Sequence, residues 1–490
     1  MSEDLALILR KINGQRLVFV SGNFNVIHPG HLRLLRFAKD CGDTLVVGVK
    51  SDAQAGQAAL VGELDRLEGV LANTYVDHGF ILTTSSEEAV RQLKPAVVVK
   101  GKEHETGLNS EIQVLDQYGG KLLFCSGEAH LTSADLLHGE LELGSQEPPS
   151  AGENYRNRHD ILMGDLEELM KRFEAKNVCV LGDLIVDEYV ACEAEGMSRE
   201  EPVMVVSPAA ERRFIGGGAI VAGHAAGLGA EVTYFGVRGD DEVGDFAEME
   251  LEKSGVQYSI AVDSSRPSTL KRRYRVENKS LLRVNRFRKH AISKEIQNTL
   301  LNHLKLKLPE ADLLILSDFN YGLMPDDFIG DVVAIAQSHQ VFIVADSQCS
   351  SQLGNIARFR GVNLLTPTEH EARVSLRDPD AGLVVLAEKL RKQTSAEHVL
   401  LTLSQEGLLI YAGSNDPWVT DRLPAFCRNP VDTAGAGDCL MVTTALALCS
   451  EATIWQSAFL GSIAAGIQVS RLGNVPISQA NLLKVLKQHQ

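Results

Sequence analysis

Two successive series of short apolar runs, each alternating with helix-period segments, leave few folds open to this chain. In the first series RLVFVSGNF, TLVVGVKSD, AVVVKG and GKLLFCSG read as strands, and HPGHLRLLRFAKDCG reads as a helix after the first of them. The second series begins at NVCVLGDLIVD and runs through EVTYFGVRGDD, DLLILSDFN, VFIVADSQ, NLLTPTEHEA and HVLLTLSQEG to a Gly/Ala-rich helical region after Asp432. Apolar strands separated by helices specify parallel α/β sheets. Between the series lies GSQEPPSAGENYRNRHD, polar, with adjacent prolines and no apolar period, which reads as a linker. The predicted layout is an α/β domain over residues 1–143, a linker over 144–160 and a larger α/β domain over 161–490, entered by a helical extension around Leu162 to Ala175. No internal repeat relates the halves, so two different folds are expected.

Composition narrows the function classes. With 490 residues the chain is too long for one ordinary domain, and 44% hydrophobic with 23% charged residues is ordinary for a soluble globular protein. A net charge of −16 argues against broad phosphate-backbone binding, so no nucleic-acid partner is expected. A small anionic substrate needs only a few local cations. No apolar stretch is long enough to span a membrane, and MSEDLALILRKI lacks a basic start followed by a long apolar run. No membrane association and a cytoplasmic location are therefore expected. None of the eight cysteines forms a CxxC pair, which speaks against a zinc ribbon and for buried free thiols.

In the first half, GNFNVIHPGH places His28 and His31 three apart at a strand-to-helix turn. Pro29 suits a first helical turn, and Gly30 permits close approach of a ligand. Imidazoles at i and i+3 face one side, beside the free N–H groups of the helix start, which attract phosphate oxygens. Such a group suits a nucleoside triphosphate: it stabilises charge on the reacting α-phosphate and on the departing pyrophosphate, with no covalent intermediate. A bare HxGH fits two incidental histidines near a helix cap equally well. Here, however, Gly22 and Phe24 precede it at the end of a strand. Together with VVGVKSD, Arg66 in LDRLEGVLAN, KPAVVVKGKEHE and HLTSADLL, the stretch resembles the cytidylyltransferase-like nucleotidyltransferases, in particular the adenylyltransferase domain of the bifunctional ADP-heptose synthesis enzymes. The resemblance covers residues 14 to 137 and implies a Rossmann-like domain. It implies that His28, His31, Lys102, Thr132 and Ser133 surround the triphosphate, with Gly22, Phe24 and Gly30 completing the nucleotide site. Asn25 stands where that family usually has Asp, and LTS carries fewer hydroxyls than its late turn. The residues leave ATP and CTP both open as the nucleotide.

In the second half, NPVDTAGAGDCLMVTTALAL sets Gly435, Ala436 and Gly437 just before an apolar helix. Small residues there let backbone N–H groups close on an oxyanion, with the helix start adding positive potential. Asp438 then sits at the helix mouth, where a carboxylate can take the proton of an attacking hydroxyl while the amides hold the transferring γ-phosphoryl. A lone GAGD more often describes a Gly-rich helix cap with a surface acid. The longer DTAGAGD resembles the signature of the ribokinase-like carbohydrate kinases. So do GDLIVDEYV, IGGGAIVAGHAAGLGA, LTPTEHEA and LLTLSQEG, over residues 176 to 485.

That resemblance implies ATP as phosphoryl donor and Mg2+, with Thr402, Ser404 and Gly407 on the nucleotide side and Glu371 acting indirectly on the metal. It implies Asp183, Asp187, Gly216 and Gly217 on the sugar side, and a β lid that builds a homodimer. SREEPVMVV, STLKRRYRVENKSLLRVNRF and LILSDFNYGLM further resemble the heptose 7-phosphate kinase domain, so both halves point to one pathway, with the domain order reversed. The implied reactions are phosphorylation of heptose 7-phosphate at O1 and adenylyl transfer to a heptose 1-phosphate. Departures from the kinase pattern are Ile220 and His224 in place of Asn, Thr368 in place of Asn, and Gln348 within ADSQC. A different sugar, or a sugar-phosphate-sensing scaffold with altered pockets, stays open on these residues. The basic run KRRYRVENKSLLRVNRFRK is in most such cases a solvated face. It also alternates as a strand would, and Lys271 and Arg273, two apart, should share a face. Arg283, beyond a polar NKS turn, returns to the same side. These three are the candidates for holding a sugar phosphate.

Overall fold

The computed structural model describes residues 8, 12, 15–25, 27, 29–56, 59, 61–101, 109–125, 152–201, 203–276, 279–348, 354–413, 419–427 and 430–487. The chain divides into two compact units, Met1–Glu147 with Pro379–Leu386, and Pro148–Asp378 with Ala387–Gln490.

The smaller unit holds five strands: β1 (Leu17–Gly22), β2 (Thr44–Lys50), β3 (His78–Leu82), β4 (Val97–Gly101) and β5 (Lys121–Cys125). All pair in parallel, in the order β3-β2-β1-β4-β5. Val18, Phe19 and Val20 of the central strand are fully buried. A strand covered on both faces is encoded as a continuous apolar run rather than an alternating one. Strand order reverses between β1 and β4, so the crevice at their carboxyl ends is where a sheet of this kind receives a ligand. The turn after β1 and the helix Pro29–Asp40 sit at that crevice.

The larger unit is built on a nine-stranded sheet. Its strands are β6 (Asn177–Gly182), β9 (Glu231–Arg238), β10 (Gln257–Val262), β13 (Leu313–Asp318), β14 (Phe342–Ser347), β15 (Leu364–Leu365), β16 (His398–Thr402), β17 (Leu408–Tyr411) and β18 (Thr420–Leu423). Their order is β10-β9-β6-β13-β14-β15-β16-β17-β18, parallel as far as β16 and antiparallel beyond it. Two helices, Ala436–Cys449 and Ile454–Val469, are apolar on nearly every side and are accordingly buried against the sheet and each other. Gly461 makes that contact close, since a Cβ there would stand 2.2 Å from Thr444 Oγ1.

A second, four-stranded sheet forms the expected lid: β7 (Leu184–Met197), β8 (Met204–Gly217), β11 (Thr269–Val276) and β12 (Lys279–Arg286), in the order β12-β11-β7-β8. Strand β7 is buried over its first half and exposed over its second, so it carries the sheet out of the core. Met197, Met204, Leu282 and Val284 of the lid are exposed.

The segment read as linker has structure in its second half. Glu153–Arg158 is a helix, and its Tyr155 is buried in the core of the larger unit. The Tyr155 hydroxyl donates to the Trp455 carbonyl at 3.0 Å, and its ring stacks on Phe459. Arg158 and His159 both engage the Asp421 carboxylate, at 2.9 and 2.7 Å. One aromatic among polar residues gives no periodicity, so the anchor escapes a pattern reading. Tyr155→Ala is expected to destabilise the larger unit by about 3–5 kcal/mol, as for other large buried aromatics. Urea unfolding followed by tryptophan fluorescence checks this, since His159 stacks on Trp455.

Candidate active sites

In the smaller unit the turn after β1 is held from below by a buried arginine. Arg66 donates through Nε to the Val61 carbonyl at 2.8 Å, through Nη1 to the Asn23 carbonyl at 2.7 Å, and through Nη2 to Asp52 Oδ1 at 2.5 Å. The turn it fixes carries Phe24, buried and in the left-handed region at φ 52°. The Phe24 ring rests against the His31 imidazole, centroid to centroid 5.0 Å. Gly22 is small for the same reason: a Cβ there would press on the Phe24 ring at 3.0 Å. Gly30 is the second residue of the helix that presents His31. Of the other expected nucleotide ligands, His28, Lys102, Thr132 and Ser133 lie outside the described residues.

In the larger unit Asp438 lies in the first turn of the helix Ala436–Cys449, which Gly435 caps at φ 76°. Any larger residue at Gly435 would be strained by that φ, and its Cβ would stand 2.1 Å from Asn474 Oδ1. A cleft of about 530 Å³ opens at this helix start. Gly435, Ala436, Gly437 and Asp438 line it together with Thr402, Ser404 and Gly407 from the β16–β17 turn. Asp346, Gln348, Thr368 and Glu371 complete its wall. The expected nucleotide-side residues of this unit are thus brought together. Gly407 takes φ 92°, and a Cβ on it would meet the Leu423 carbonyl at 2.0 Å.

Asp438 is buried, and that burial pushes its pKa up to about 7; Asp187 and Glu371 push the same way and Lys271 opposes them. The carboxyl therefore titrates near neutrality, which suits a general base.

Of the residues expected on the sugar side, Asp183 and Asp187 are both buried. Asp183 Oδ2 accepts the Phe319 N–H at 2.7 Å, and burial, followed by the Asp318 charge, pushes its pKa up to about 7. Burial also raises Asp187, opposed by Arg273, Lys271 and Arg283. Gly216 and Gly217 end β8 against these acids: a Cβ on Gly216 would meet Asp187 Oδ2 at 2.5 Å, and one on Gly217 the Asp183 carbonyl at 2.3 Å. Register aligns the cations. Lys271 pairs with Asp187 and Arg273 with Tyr189 across β11 and β7, and Arg273 pairs with Arg283 across β11 and β12. Lys271, Arg273 and Arg283 thus share one face with Asp187. Lys271 is buried over the Phe319 and Tyr321 rings, at 4.7 and 5.5 Å, and burial lowers its pKa. Arg273 stands 3.2 Å from Asp187, while Arg283 is exposed.

The residues that depart from the kinase pattern have structural employment. Ile220 is part of the apolar core. His224 Nδ1 accepts the Ile477 N–H at 3.1 Å, and burial lowers its pKa to about 3, so the ring is neutral. Thr368 caps the helix Glu369–Leu376 in a reciprocal box with Glu371: Thr368 N–H donates to Glu371 Oε2 at 2.8 Å, and Glu371 N–H donates to Thr368 Oγ1 at 3.2 Å. Gln348 Nε2 reaches Asp438 Oδ1 at 3.4 Å. Among the described residues no group of three or more acid, histidine or cysteine side chains is placed to hold a metal ion directly. Asp346 Oδ1, however, is buried without a hydrogen-bond partner. Its carboxyl is held well above the usual range by burial and then by Glu371 and Asp438. Three carboxylates that repel one another in the wall of this cleft fit a hydrated divalent cation better than a bare one.

Residues 175–480 match the model of the pfkB family carbohydrate kinases, and residues 19–118 match the cytidylyltransferase-like model. The chain belongs to the pfkB carbohydrate kinase family. Its larger unit is the carbohydrate kinase domain, and its smaller unit carries the nucleotidyltransferase-like domain. Among curated relatives, the bifunctional protein HldE of Helicobacter hepaticus is 31% identical over 318 residues, covering 64% of each chain. The protein of the same name from Shewanella amazonensis is 32% identical over 320 residues, covering 65% of each. The chain therefore spans about two-thirds of the length of these relatives. In fold, the kinase domain is similar to a ribokinase of Arabidopsis thaliana solved with ribose and ATP, at TM-score 0.51 and 18% identity, over 64% of this chain and 99% of that one. It is equally similar to phosphofructokinase-2 of Escherichia coli solved with substrates and products, at TM-score 0.52 and 17% identity, over 64% and 99%.

The raised carboxyl of Asp438 has a cost in stability. Between its ordinary value of 3.8 and about 7 the folded chain keeps a proton that the unfolded chain releases, so stability falls as pH rises through that window. Asp438→Asn removes this cost. The variant is expected to be more stable than the parent at pH 8 by more than about 1 kcal/mol, with the difference vanishing near pH 4. Denaturation midpoints of the kinase domain at the two pH values check the sign.

Proposed function

We propose that the chain is a bifunctional enzyme of nucleotide-activated sugar synthesis. The kinase domain phosphorylates a sugar phosphate, heptose 7-phosphate at O1, to a 1,7-bisphosphate. The smaller domain joins a heptose 1-phosphate to the AMP part of ATP and releases pyrophosphate, giving ADP-heptose. A phosphatase must remove the 7-phosphate between the two steps. The observation that carries the reading is the position of Asp438. It lies at the mouth of the Gly435–Gly437 turn and lines the cleft there, within reach of the charges of Lys271 and Asp187. A base placed there takes the proton of the sugar hydroxyl as the γ-phosphoryl departs from ADP. The turn amides and the helix start hold the phosphoryl oxygens.

Asp183 and Asp187 orient the sugar hydroxyls, with Gly216 and Gly217 giving the ring room to approach. Lys271, Arg273 and Arg283 receive the distal phosphate, their shared face supplying the charge-assisted bonds that a dianion needs. Thr402, Ser404 and Gly407 bound the nucleotide. Mg2+, where it binds, neutralises charge on the nucleotide phosphates. Asp346 and Glu371 would hold it through its waters, since one Glu371 oxygen is already taken by the Thr368 cap. In the smaller domain His31 is presented to the β1–β4 crevice, and with His28, Gly30, Lys102, Thr132 and Ser133 it stabilises the reacting α-phosphate. The exposed lid residues Met197, Met204, Leu282 and Val284 support a homodimer formed through the lid.

Two single variants separate the activities. Asp438→Asn should lower sugar phosphorylation by roughly 10²-fold or more, the usual size of a general-base contribution. His31→Ala should lower adenylyl transfer by roughly 10²-fold and leave phosphorylation unchanged. Product mass, measured separately for each reaction, reads both. Wild-type phosphorylation by Asp438→Asn removes the base assignment, and loss of both reactions in folded His31→Ala removes the assignment of two separate centres.

A further inference from the structure

Tyr189 stands where the cation-bearing lid meets the anion turn. Two guanidinium groups lie against its ring, Arg273 at 5.0 Å and Arg275 at 5.3 Å from the centroid. Its hydroxyl accepts from Arg273 Nη1 at 2.6 Å and donates to Asp432 Oδ2 at 2.8 Å. Arg273 also stands 3.2 Å from Asp187 Oδ1. At the other end Asp432 Oδ1 accepts the Ala434 N–H, and Asp432 Oδ2 accepts the Gly473 N–H, each at 3.1 Å. Ala434 leads directly into Gly435–Gly437. A continuous chain of polar contacts therefore runs from Asp187 through Arg273, Tyr189 and Asp432 into the turn that faces the nucleotide cleft. Asn474 lies alongside it, with Nδ2 at 3.5 Å from Asp187 Oδ2 and Oδ1 seated against Gly435.

The physical consequence follows from the sharing of Arg273. A hydroxyl that accepts a hydrogen bond from a cation donates its own more strongly. Tyr189 is only 6% exposed, so water competes little for either bond. A phosphate dianion arriving at Lys271 and Arg273 competes with Asp187 and Tyr189 for the same guanidinium. Whatever it does to Arg273 reaches the Asp432 carboxylate through two hydrogen bonds. We propose that Tyr189 is a positioning residue that couples occupancy of the lid cations by a sugar phosphate to the geometry of the anion turn, so that the distal phosphate raises kcat as well as lowering KM. This is binding energy from a non-reacting group used in the chemical step. The proposal rests on the reading of the larger unit as a phosphosugar kinase.

The test compares the full-length wild type with Tyr189→Phe, which keeps the ring against both guanidiniums and removes only the hydroxyl. Heptose 7-phosphate, hexose 6-phosphates and the corresponding free sugars serve as acceptors, and calorimetry measures phosphosugar binding without nucleotide. Loss of a charge-assisted bond should lower kcat for the best phosphosugar about tenfold, with KM for that sugar and for ATP each changing by less than about twofold. The kcat advantage of the phosphosugar over its free sugar should shrink by the same factor. Arg273→Lys gives an independent reading. It should lose the same advantage, and adding Tyr189→Phe to it should lower kcat little further, because the two act in one chain. Unchanged kcat in Tyr189→Phe, or fully multiplicative losses in the double variant, overturns the coupling while leaving the kinase reading intact. Absence of phosphosugar binding and turnover in the wild type overturns both.

Discussion

The kinase site depends on one buried ammonium. Lys271 lies over two aromatic rings, with the charges of Asp187 and Asp438 acting on it. An isolated ion pair in such surroundings is worth little, because desolvation offsets most of the attraction. What the arrangement provides instead is a balance. Burial and neighbouring acids raise Asp438, and Lys271 draws it back to about 7. Without burial the carboxylate would be too weak a base, and without the lysine it would stay protonated at neutral pH. Backbone architecture sets this balance: the lid register places Lys271 opposite Asp187, and the Gly435 cap places Asp438 at a helix start.

The candidate anion sites of the two units are built with the same device. Each presents a helix N-terminus through a turn that only small or left-handed residues can make. In the smaller unit Arg66 fixes a turn held open by Phe24 at φ 52°. In the larger unit Asp432 and Gln468 fix a turn held open by Gly435 at φ 76°. In both, the candidate side chain rides on the first turn of the helix, and part of what holds the turn comes from a distant stretch of chain, Arg66 in one unit and Gln468 in the other.

That distance explains what could be read from the sequence. Strands β1 and β6 are continuous apolar runs, and the two motif turns follow their own local rules, so fold class and the anion turn were legible. The shared face of Lys271, Arg273 and Arg283 was legible too, since it follows from the two-residue period of a strand and one hairpin return. Tyr189 and Asn474 were not, because their partners Asp432 and Asp187 are 243 and 287 residues away. Tyr155 was missed because a single aromatic in a polar stretch has no period. Thr368 stands against the kinase pattern, which has Asn there, yet T-E-H-E also spells a capping box, and that is the bond it makes. Asn320 and Asp318 order the loop beside Asp183 through contacts that no short motif encodes.

The central claim is that a buried carboxylate, tuned by a buried ammonium, is the base of the kinase. The most direct measurement is the pH dependence of kcat/KM for sugar phosphorylation in the wild type and in Lys271→Met. Ionised Asp438 is the active form, so the wild-type rate should rise with pH and level off above a midpoint near 7. Removing the Lys271 charge should move that midpoint to higher pH. A wild-type profile that is flat between pH 5 and 9, or a midpoint that stays in place in Lys271→Met, would contradict the account.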